Sequence, residues 1–322
     1  MSGTQSALIG AGAQYANIRY IQSSTTFTAV KTGKHRVTVI GAGGGGANPT
    51  VFASLSSGGA AGGFTQKEIY LTVGQTATVT IGAGGLVGAN PSNGSTGGTT
   101  SWVDALNTLT AYGGEGGKLS GAAAIGGIAT GGDINVQGGN SGVASRSGAG
   151  AANGAAFTGG GAVGILGIGF PSGNATTTRS TGTAYSGGAG VGGKSGDAID
   201  ATALGNSGGG GSGGPSPDAS SVSGLGGPDI MGTKTAAATL AVMPPGFSNK
   251  PCPFGGGGNG AGLSGITTPP PGGGQSGGAL GTGGKYAGGS FGPGGIGAGG
   301  GGCYGNPANY NVGGQGEVIV EF

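Results

Sequence analysis

Residues 188–195 fit the pattern of a phosphate-binding P-loop, in which a glycine-rich turn ends in Lys194 and Ser195. A working P-loop lies between a buried hydrophobic strand and a helix, because backbone N–H groups at the helix start hold the phosphates. The preceding residues 181–187 are polar and glycine-rich, and residues 197–204 could make about two helical turns at most. We therefore attribute the match to chance, and we predict that the chain binds no nucleotide and uses no cofactor.

Two further patterns could indicate hydrolytic chemistry. Residues 205–209 fit the Gly-x-Ser-x-Gly nucleophile elbow, but they lie in a glycine run without the strand that should precede them. The base would have to be His35, the only histidine, which we expect to be a surface or sheet residue. Asp197 and Asp200 form the closest carboxylate pair, and we expect them to lie in a solvated turn. The sequence therefore predicts a protein that is not an enzyme.

Composition excludes several other classes of protein. Cys252 and Cys303 are the only cysteines, so they can form one bridge or two free thiols but no zinc site, and we predict no metal. The net charge of +2 comes without a basic cluster, which argues against nucleic-acid binding. There is no run of ~18 apolar residues for membrane insertion. The N-terminal residues lack the basic and apolar regions of a signal peptide.

Glycine dominates the chain, with 91 of 322 residues. Such a chain is a flexible linker, a fibrous repeat, or a fold that needs backbones closer together than a Cβ allows. With 34% hydrophobic and 7% charged residues it does not resemble a self-repelling disordered tail. Collagen would need strict Gly-X-Y repeats and more than these 15 prolines. An ordered glycine-packed fold is favoured, with substantial disorder as the alternative.

Alternation of apolar and threonine residues predicts β-strands near the start of the chain. In residues 35–40, Val37 and Val39 fall on one face and Thr38 falls on the other. The same reasoning predicts strands at 15–21, 64–71 and 76–81, a tight turn at 73–75, and a hairpin at 99–103 and 106–112.

Residues 317–322 alternate in the same way, although they lie far along the chain. A lone strand cannot bury its apolar face, so we predict that residues 318–322 pair with residues 37–40. The predicted domains are an N-terminal attachment segment at 1–30, a β frame at 31–112 with 316–322, and a glycine-rich block at 113–315.

Within the block, glycine recurs at every third position in residues 187–196, 205–214 and 289–295. A period of three matches the polyproline II helix, whose outward N–H and C=O groups need partners when they are buried. Glycine lets neighbouring helices approach closely enough to supply those partners. The predicted fold class is all-β with polyglycine II, in which a small β-sandwich-like frame closed by N- and C-terminal strands carries a bundle of short left-handed helices.

Segments poor in glycine separate these runs and are predicted to be turns at the ends of the bundle. They are residues 165–185, 215–254, 263–271 and 303–312. Their bulky and hydrogen-bonding side chains either cap the bundle as small local cores or contact a partner. The candidate contact residues are Phe170, Tyr185, Met231, Met243, Phe247, Asn249, Phe254, Tyr304, Asn309 and Tyr310.

Strand and glycine run directly into each other at residues 34–46, 59–64, 73–85, 97–101 and 314–322. In these junctions the chain resembles the glycine-rich domain of tailed-bacteriophage tail and tail-fibre proteins. The block is similar in composition to the polyglycine sandwich of the distal adhesins on some long tail fibres.

The resemblance implies a virion protein, made in the host cytoplasm, that sits in a tail or tail fibre. The N-terminal segment and frame would bind other tail proteins, and the loops would contact a host receptor, which is an outer-membrane protein or a glycan. A purely structural tail or collar component is one alternative. A secreted surface binder is another, although the missing secretion signal argues against it. The oligomeric state is left open by the sequence.

Overall fold

The computed structural model describes residues 17–49, 55–89, 91–147, 155–158, 160–161, 171–178, 183–185, 197–200, 205–206, 296–300 and 312–322. In this part of the chain the secondary structure is all β, with seventeen strands and no helix. The strands are β1 (Ile18–Ile21), β2 (Thr25–Thr28), β3 (Gly33–Ile40), β4 (Leu55–Ser56), β5 (Phe64–Leu71), β6 (Thr76–Thr80), β7 (Thr100–Val103), β8 (Thr108–Ala111), β9 (Ala129–Thr130), β10 (Ile134–Val136), β11 (Ala144–Arg146), β12 (Ala155–Phe157), β13 (Ala175–Thr177), β14 (Thr183–Tyr185), β15 (Ala198–Asp200), β16 (Gly205–Asn206) and β17 (Glu317–Glu321).

Ten strands form two five-stranded antiparallel sheets. Sheet A has the order β1-β17-β3-β5-β10, and sheet B has the order β2-β6-β7-β8-β9. The strands predicted at 35–40, 64–71 and 76–81 are confirmed as β3, β5 and β6, and the predicted hairpin is β7–β8. The predicted turn at 73–75 is also confirmed, and there Gly74 has a φ of 86°, which favours glycine.

One hydrophobic core lies between sheets A and B. Sheet A contributes Val37 and Val320, and sheet B contributes Phe27, Trp102 and Leu109, all of them fully buried. The rings of Phe27 and Trp102 lie 5.1 Å apart between centroids. Burial of each large apolar side chain stabilises the fold by ~1.5–3 kcal/mol, so this core holds the two sheets together.

The predicted closure by the C-terminal strand is confirmed. Strand β17 pairs antiparallel with β3, and Val318 lies opposite Val39. Each of the two strands also has a second partner, since β3 pairs with β5 and β17 pairs with β1. Strands β1 and β2, which fall in the predicted attachment segment, give an edge strand to each sheet, and β9 and β10 from the block extend the sheets at the opposite edges.

One end of the two sheets continues directly into glycine-rich segments that hydrogen-bond to one another. We call these segments the glycine lattice; they are residues 41–47, 57–63, 82–88, 94–98, 112–117, 121–128, 137–142, 160–161, 297–300 and 313–316. The other end of the sheets, which we call the base, holds the turns at 29–33, 72–75 and 104–107. At the base, Asn17 and Phe322 exchange two backbone hydrogen bonds of 2.8 and 2.9 Å.

Backbone hydrogen bonds in the lattice repeat at every third residue. Along residues 41–45, the first three N–H groups donate to three different segments. The fourth N–H group donates to the same segment as the first, and the fifth donates to the same segment as the second. The acceptors are, in order, the carbonyl oxygens of Gly63, Gly98, Gly314, Ala60 and Ser95. Carbonyl oxygens of residues 42–46 accept N–H groups from three further segments, at 82–88, 112–117 and 297–300. This segment therefore bonds to six neighbours, which satisfies its buried backbone groups without a sheet.

The lattice leaves no room for a side chain at many of its glycines. A Cβ added to Gly43 would lie 1.9 Å from the carbonyl oxygen of Ala298, and one added to Gly45 would lie 2.0 Å from that of Leu86. Neither glycine has a positive φ. Close approach of backbones, and not a left-handed conformation, therefore requires glycine at these positions.

Short parallel strands form a second unit beside the lattice, which we call the parallel stack. Strands β11, β13 and β15 pair in one sheet, and β4, β12, β14 and β16 pair in another. Successive strands from β11 to β16 alternate between the two sheets. Each pair of strands therefore adds one layer to the stack, and the described residues contain three layers.

The stack corrects two sequence predictions. Residues 165–185 were expected to form a turn but contain β13 and β14, and the predicted glycine helix at 205–214 begins with β16. Thr176 belongs to a residue type that favours strands, and it lies in β13 opposite Ser145 of β11. The hydroxyl oxygens of these two residues lie 3.0 Å apart, and such a pair across neighbouring strands stabilises the sheet. The predicted glycine runs at 187–196 and 289–295 lie outside the described residues.

Candidate functional site

Nine of the ten candidate contact residues lie outside the described residues. They are Phe170, Met231, Met243, Phe247, Asn249, Phe254, Tyr304, Asn309 and Tyr310. Tyr185 lies in β14, in register with Phe157 of β12 and Asn206 of β16. Its expected position in an end loop was therefore wrong, because backbone pairing with the neighbouring layers holds this residue in a strand.

The structure describes only some of the residues whose sequence patterns could indicate catalysis. The P-loop-like residues 188–195 lie outside the described part of the chain, and the elbow-like residues 205–209 begin in β16. Asp197 and Asp200 do not form the expected solvated turn, since Asp200 lies in β15. Asp197 has a structural role, because its Oδ1 accepts the backbone N–H of Asn174 at 2.8 Å.

His35 is a fully buried residue of β3, which confirms the expectation of a sheet residue. Its Nδ1 donates to the carbonyl oxygen of Gly33 at 3.0 Å, and its ring stacks on Phe322 with centroids 5.4 Å apart. Its Nε2 has no hydrogen-bond partner among the described residues. Burial lowers the pKa of His35, so the ring is held neutral and packs as part of the core.

Glu317 is the buried acidic group that the sequence reasoning missed. It begins β17 at the junction with the lattice, and its Oε1 accepts a 2.8 Å hydrogen bond from Nε2 of Gln22. Its Oε2 has no hydrogen-bond partner in the described part of the chain. Burial raises the pKa of Glu317 to about 7, and the bond from Gln22 lowers it by less. The carboxyl group is thus poised to change charge near neutral pH.

The alternation at 317–321 could have flagged this residue, because it places both glutamates on the same face of β17. They differ in what lies opposite. Glu321 forms two hydrogen bonds of 2.5 Å with the Arg36 guanidinium. Glu317 lies opposite Ile40, which belongs to a small buried cluster with Ala61 and Phe64.

Apolar side chains are exposed at the base. Val30, Tyr70, Val73 and Leu106 are 64%, 67%, 65% and 89% exposed, and we call them the base surface. The turns that carry Val30 and Val73 are joined by a 2.8 Å hydrogen bond from Gly74 N–H to the Ala29 carbonyl oxygen. These residues lie at the end of the sheets where Asn17 and Phe322 meet.

Neither a metal centre nor a membrane helix is found where the structure describes the chain. No group of three or more His, Cys, Asp or Glu side chains there could hold a metal ion. None of the described residues belongs to a helix with the length and hydropathy that a membrane crossing requires.

No protein-family model matches the chain, and no curated protein matches it.

Proposed function

We propose that this chain is a non-enzymatic protein of a bacteriophage tail or tail-fibre tip, which binds the host cell surface through loops of a glycine-rich bundle. The junction residues that resemble phage tail proteins support this proposal. Residues 34–46 pass from β3 into the lattice, and residues 314–322 pass from the lattice into β17. The resembling segments therefore coincide with the border between sheets and lattice.

The glycine segments, in this proposal, are polyglycine II helices that form a rigid bundle. Their hydrogen bonds with a repeat of three and with six neighbours are the geometry that a three-residue left-handed helix produces. The missing space for a Cβ at Gly43 and Gly45 agrees with it. A bundle without side chains has little means to discriminate a partner, so recognition must come from segments that leave it.

One observation supports our proposal for which end of the protein faces the phage particle and which end faces the host cell. Asn17 and Phe322 meet at the base, whereas the chain leaves the described residues after Asn206 and returns at Ile296, next to the lattice. The block between them contains Met231, Phe247 and three other candidates, and it is thus attached to the end opposite the base. We propose that the base and its exposed apolar residues contact a neighbouring tail protein and that the inserted block contacts the receptor.

A purely structural tail or collar protein is the alternative. The base surface fits this reading equally well, since both functions need a contact within the particle. The two readings differ in what the inserted block does.

The test is binding of the purified, fluorescently labelled full chain to intact bacteria from a panel of host strains. Strains that lack single outer-membrane proteins or carry truncated surface glycans identify the receptor class. We expect saturable binding that Phe247→Ala with Tyr310→Ala weakens by at least about tenfold while the melting temperature is nearly unchanged. The matched control, Val73→Ala with Leu106→Ala, removes exposed apolar groups from the base and should leave cell binding intact. Absence of saturable binding to every strain, with loss of particle assembly in the base variant, would favour the structural reading.

A further inference from the structure

Five segments of the glycine lattice form one continuous outer layer, in which each segment is joined to the next by backbone hydrogen bonds. Their order across the layer is 82–88, 94–98, 112–117, 121–128 and 137–142. The layer lies over the middle of the lattice, because the N–H groups of Gly114 and Gly127 donate inward. Their acceptors are the carbonyl oxygens of Ala42 and Ala61, each at 2.9 Å. We call the outward side of this layer the lattice face.

Apolar side chains stand on the lattice face at a spacing of three residues. Ile125 and Ile128 are 52% and 56% exposed, and Tyr112 on the neighbouring segment is 44% exposed. The Tyr112 N–H donates to the Ile128 carbonyl oxygen at 2.9 Å, so these two residues lie in one row across the face. Gly126 and Gly127, between the two isoleucines, are buried. The face therefore has one ridge at Tyr112 and Ile128, a second ridge at Ile125, and a groove with a glycine floor between them.

Polar side chains on this face bond to the lattice itself. Oε2 of Glu115 accepts the Ile125 N–H at 3.1 Å, and Oδ1 of Asn140 accepts the Gly126 N–H at 2.9 Å. Nε2 of Gln137 donates to the Gly126 carbonyl oxygen at 3.0 Å. These polar side chains lie along the neighbouring backbone, so the apolar ridges are what the face offers to a partner.

The lattice face is electrically neutral. Its five segments contain one charged residue, Glu115, and Oε2 of this residue lies 3.1 Å from Nζ of Lys118. Two copies of such a face can meet without repulsion between like charges. A strongly acidic or basic partner would find no opposing charge there.

The size of the lattice face also suits a protein partner. Segments about 4.8 Å apart and about seven residues long, with a rise of ~3.1 Å per residue, cover roughly 500 Å² when five lie side by side. Two such faces together bury about 1,000 Å², which is the size at which a specific interface between proteins becomes possible.

We propose that the lattice face is the interface between two copies of this chain, related by a two-fold axis that runs parallel to the ridges. The ridge of Tyr112 and Ile128 on each copy then lies in the groove of the other. A second copy fits because ridges that recur after three residues, about 9 Å, must meet grooves of the same spacing. The groove stays open because neighbouring backbones leave no space for a Cβ at Gly126 or Gly127. This inference does not depend on the proposed function.

Sedimentation of the full chain over a range of concentrations tests the interface. Wild type should form dimers with a Kd in the micromolar range, as expected for an interface of about 1,000 Å². Ile125→Lys with Ile128→Lys removes the apolar contact and brings like charges together, so it should raise the Kd at least about 100-fold. Val73→Lys with Leu106→Lys is the matched control, because it makes the same change at the base and should leave the Kd unchanged.

Cooperative urea unfolding shows whether each of these variants is folded. A wild-type chain that remains monomeric at about 100 μM overturns the inference, whether the face is then free, covered by the same chain or reserved for a different partner. A dimer that tolerates both lysines on the lattice face also overturns it, because its interface then lies elsewhere.

Disulfide trapping provides a second measurement that introduces no charge. Cys252→Ser and Cys303→Ser are present in every variant, so that only the introduced thiol reacts. The two copies of residue 128 lie next to each other across the two-fold axis, so Ile128→Cys should form a disulfide between two chains. We expect it to form at least about tenfold faster than in Leu106→Cys, the control at the more exposed base. A rate for Ile128→Cys no higher than that of the control overturns the inference.

Discussion

Gly44 approaches Glu115 so closely that a Cβ on Gly44 would lie 2.0 Å from the Glu115 carbonyl oxygen. The same two segments are linked through Ala60, whose carbonyl oxygen accepts the Gly44 N–H at 2.9 Å and whose N–H donates to Glu115 at 2.9 Å. Three backbones thus meet at one point with all their polar groups in use. Such a junction has no flexible side chain that could move aside.

Gly44→Ala should therefore destabilise the protein by ~3–5 kcal/mol, more than a typical point substitution. The added methyl group can be accommodated only if three hydrogen-bonded segments separate. The measurement is the free energy of unfolding from urea denaturation.

Gly74→Ala is the matched control for this substitution. Gly74 has nothing within 4 Å of an added Cβ, but its φ is +86°. An alanine there should cost ~1–2 kcal/mol through backbone strain alone. Equal losses at the two positions would show that lattice packing does not determine where glycine is required.

Deletion of residues 316–322 should leave the protein insoluble or aggregated. It removes β17 from between β1 and β3, and with it the fully buried Val318 and Val320. The edge of β3 and part of the core between the sheets would then be exposed, which promotes association. The measurements are the soluble fraction after expression and sedimentation of what remains soluble. A truncated chain that is monomeric and cooperatively folded would contradict this expectation.

The sheets could be predicted from the sequence because their signal is local. Strands β3, β5 and β6 alternate over five residues or more, and the inward position of Val37 and Val39 follows from that period. The pairing of β17 with β3 could also be predicted, since an isolated amphipathic strand needs a partner. Thr38 is buried despite its polar position, because sheet A is covered on its outer face near the lattice, where Ile296 packs beside Ile40.

The lattice and the stack could be predicted only in part. Period-three glycine predicted a bundle in the block, but the hydrogen-bonded glycine segments at 41–47 and 57–63 adjoin the frame strands and contain buried alanines at Ala42 and Ala60. Whether a Cβ fits depends on the distance to neighbouring backbones, and the spacing of glycines in the sequence does not reveal that distance. The stack strands are two or three residues long, so they are too short to show a period of two.

Asp104 holds the β7–β8 hairpin, and its loss should destabilise the protein by ~2 kcal/mol. Its carboxylate accepts hydrogen bonds from Nε1 of Trp102 at 2.9 Å and from the backbone N–H groups of Leu106 and Asn107, both at 2.8 Å. Burial alone would raise the pKa of Asp104, but these bonds together lower it below its ordinary value. In Asp104→Ala the indole N–H of the buried Trp102 loses its acceptor.

Thermal and urea unfolding measure this effect, and Asp133→Ala is the control for removal of a carboxylate from another turn. The lowered pKa also fixes the sign of the pH effect: stability from Asp104 is present above the unfolded pKa and is lost as pH falls through the folded one. Wild type should therefore lose more stability than Asp104→Ala between pH 4 and pH 2. An equal loss would show that the carboxylate does not hold the turn.

Glu317 should make the protein less stable as the pH rises from about 4.5 to about 7. Its pKa is raised from 4.5 to about 7 in the folded protein, so between these values the folded state binds a proton that the unfolded state has released. Stability must then fall with increasing pH across this window and level off above it. The raised pKa corresponds to a loss of ~3 kcal/mol.

His35 acts in the opposite direction, because its lowered pKa costs stability as pH falls below its unfolded value. The Glu317 contribution is therefore isolated as the difference between wild type and Glu317→Gln, which keeps a hydrogen-bond acceptor for Gln22 and cannot ionise. We expect Glu317→Gln to match wild type near pH 4 and to exceed it in free energy of unfolding above pH 7, as measured by urea denaturation at each pH. Glu321→Gln is the matched control on the same face of β17: it removes the negative charge that pairs with Arg36 and should not abolish the fall in stability. A difference between wild type and Glu317→Gln that is constant from pH 4 to pH 8 would mean that the pKa of Glu317 is the same in the folded and the unfolded protein.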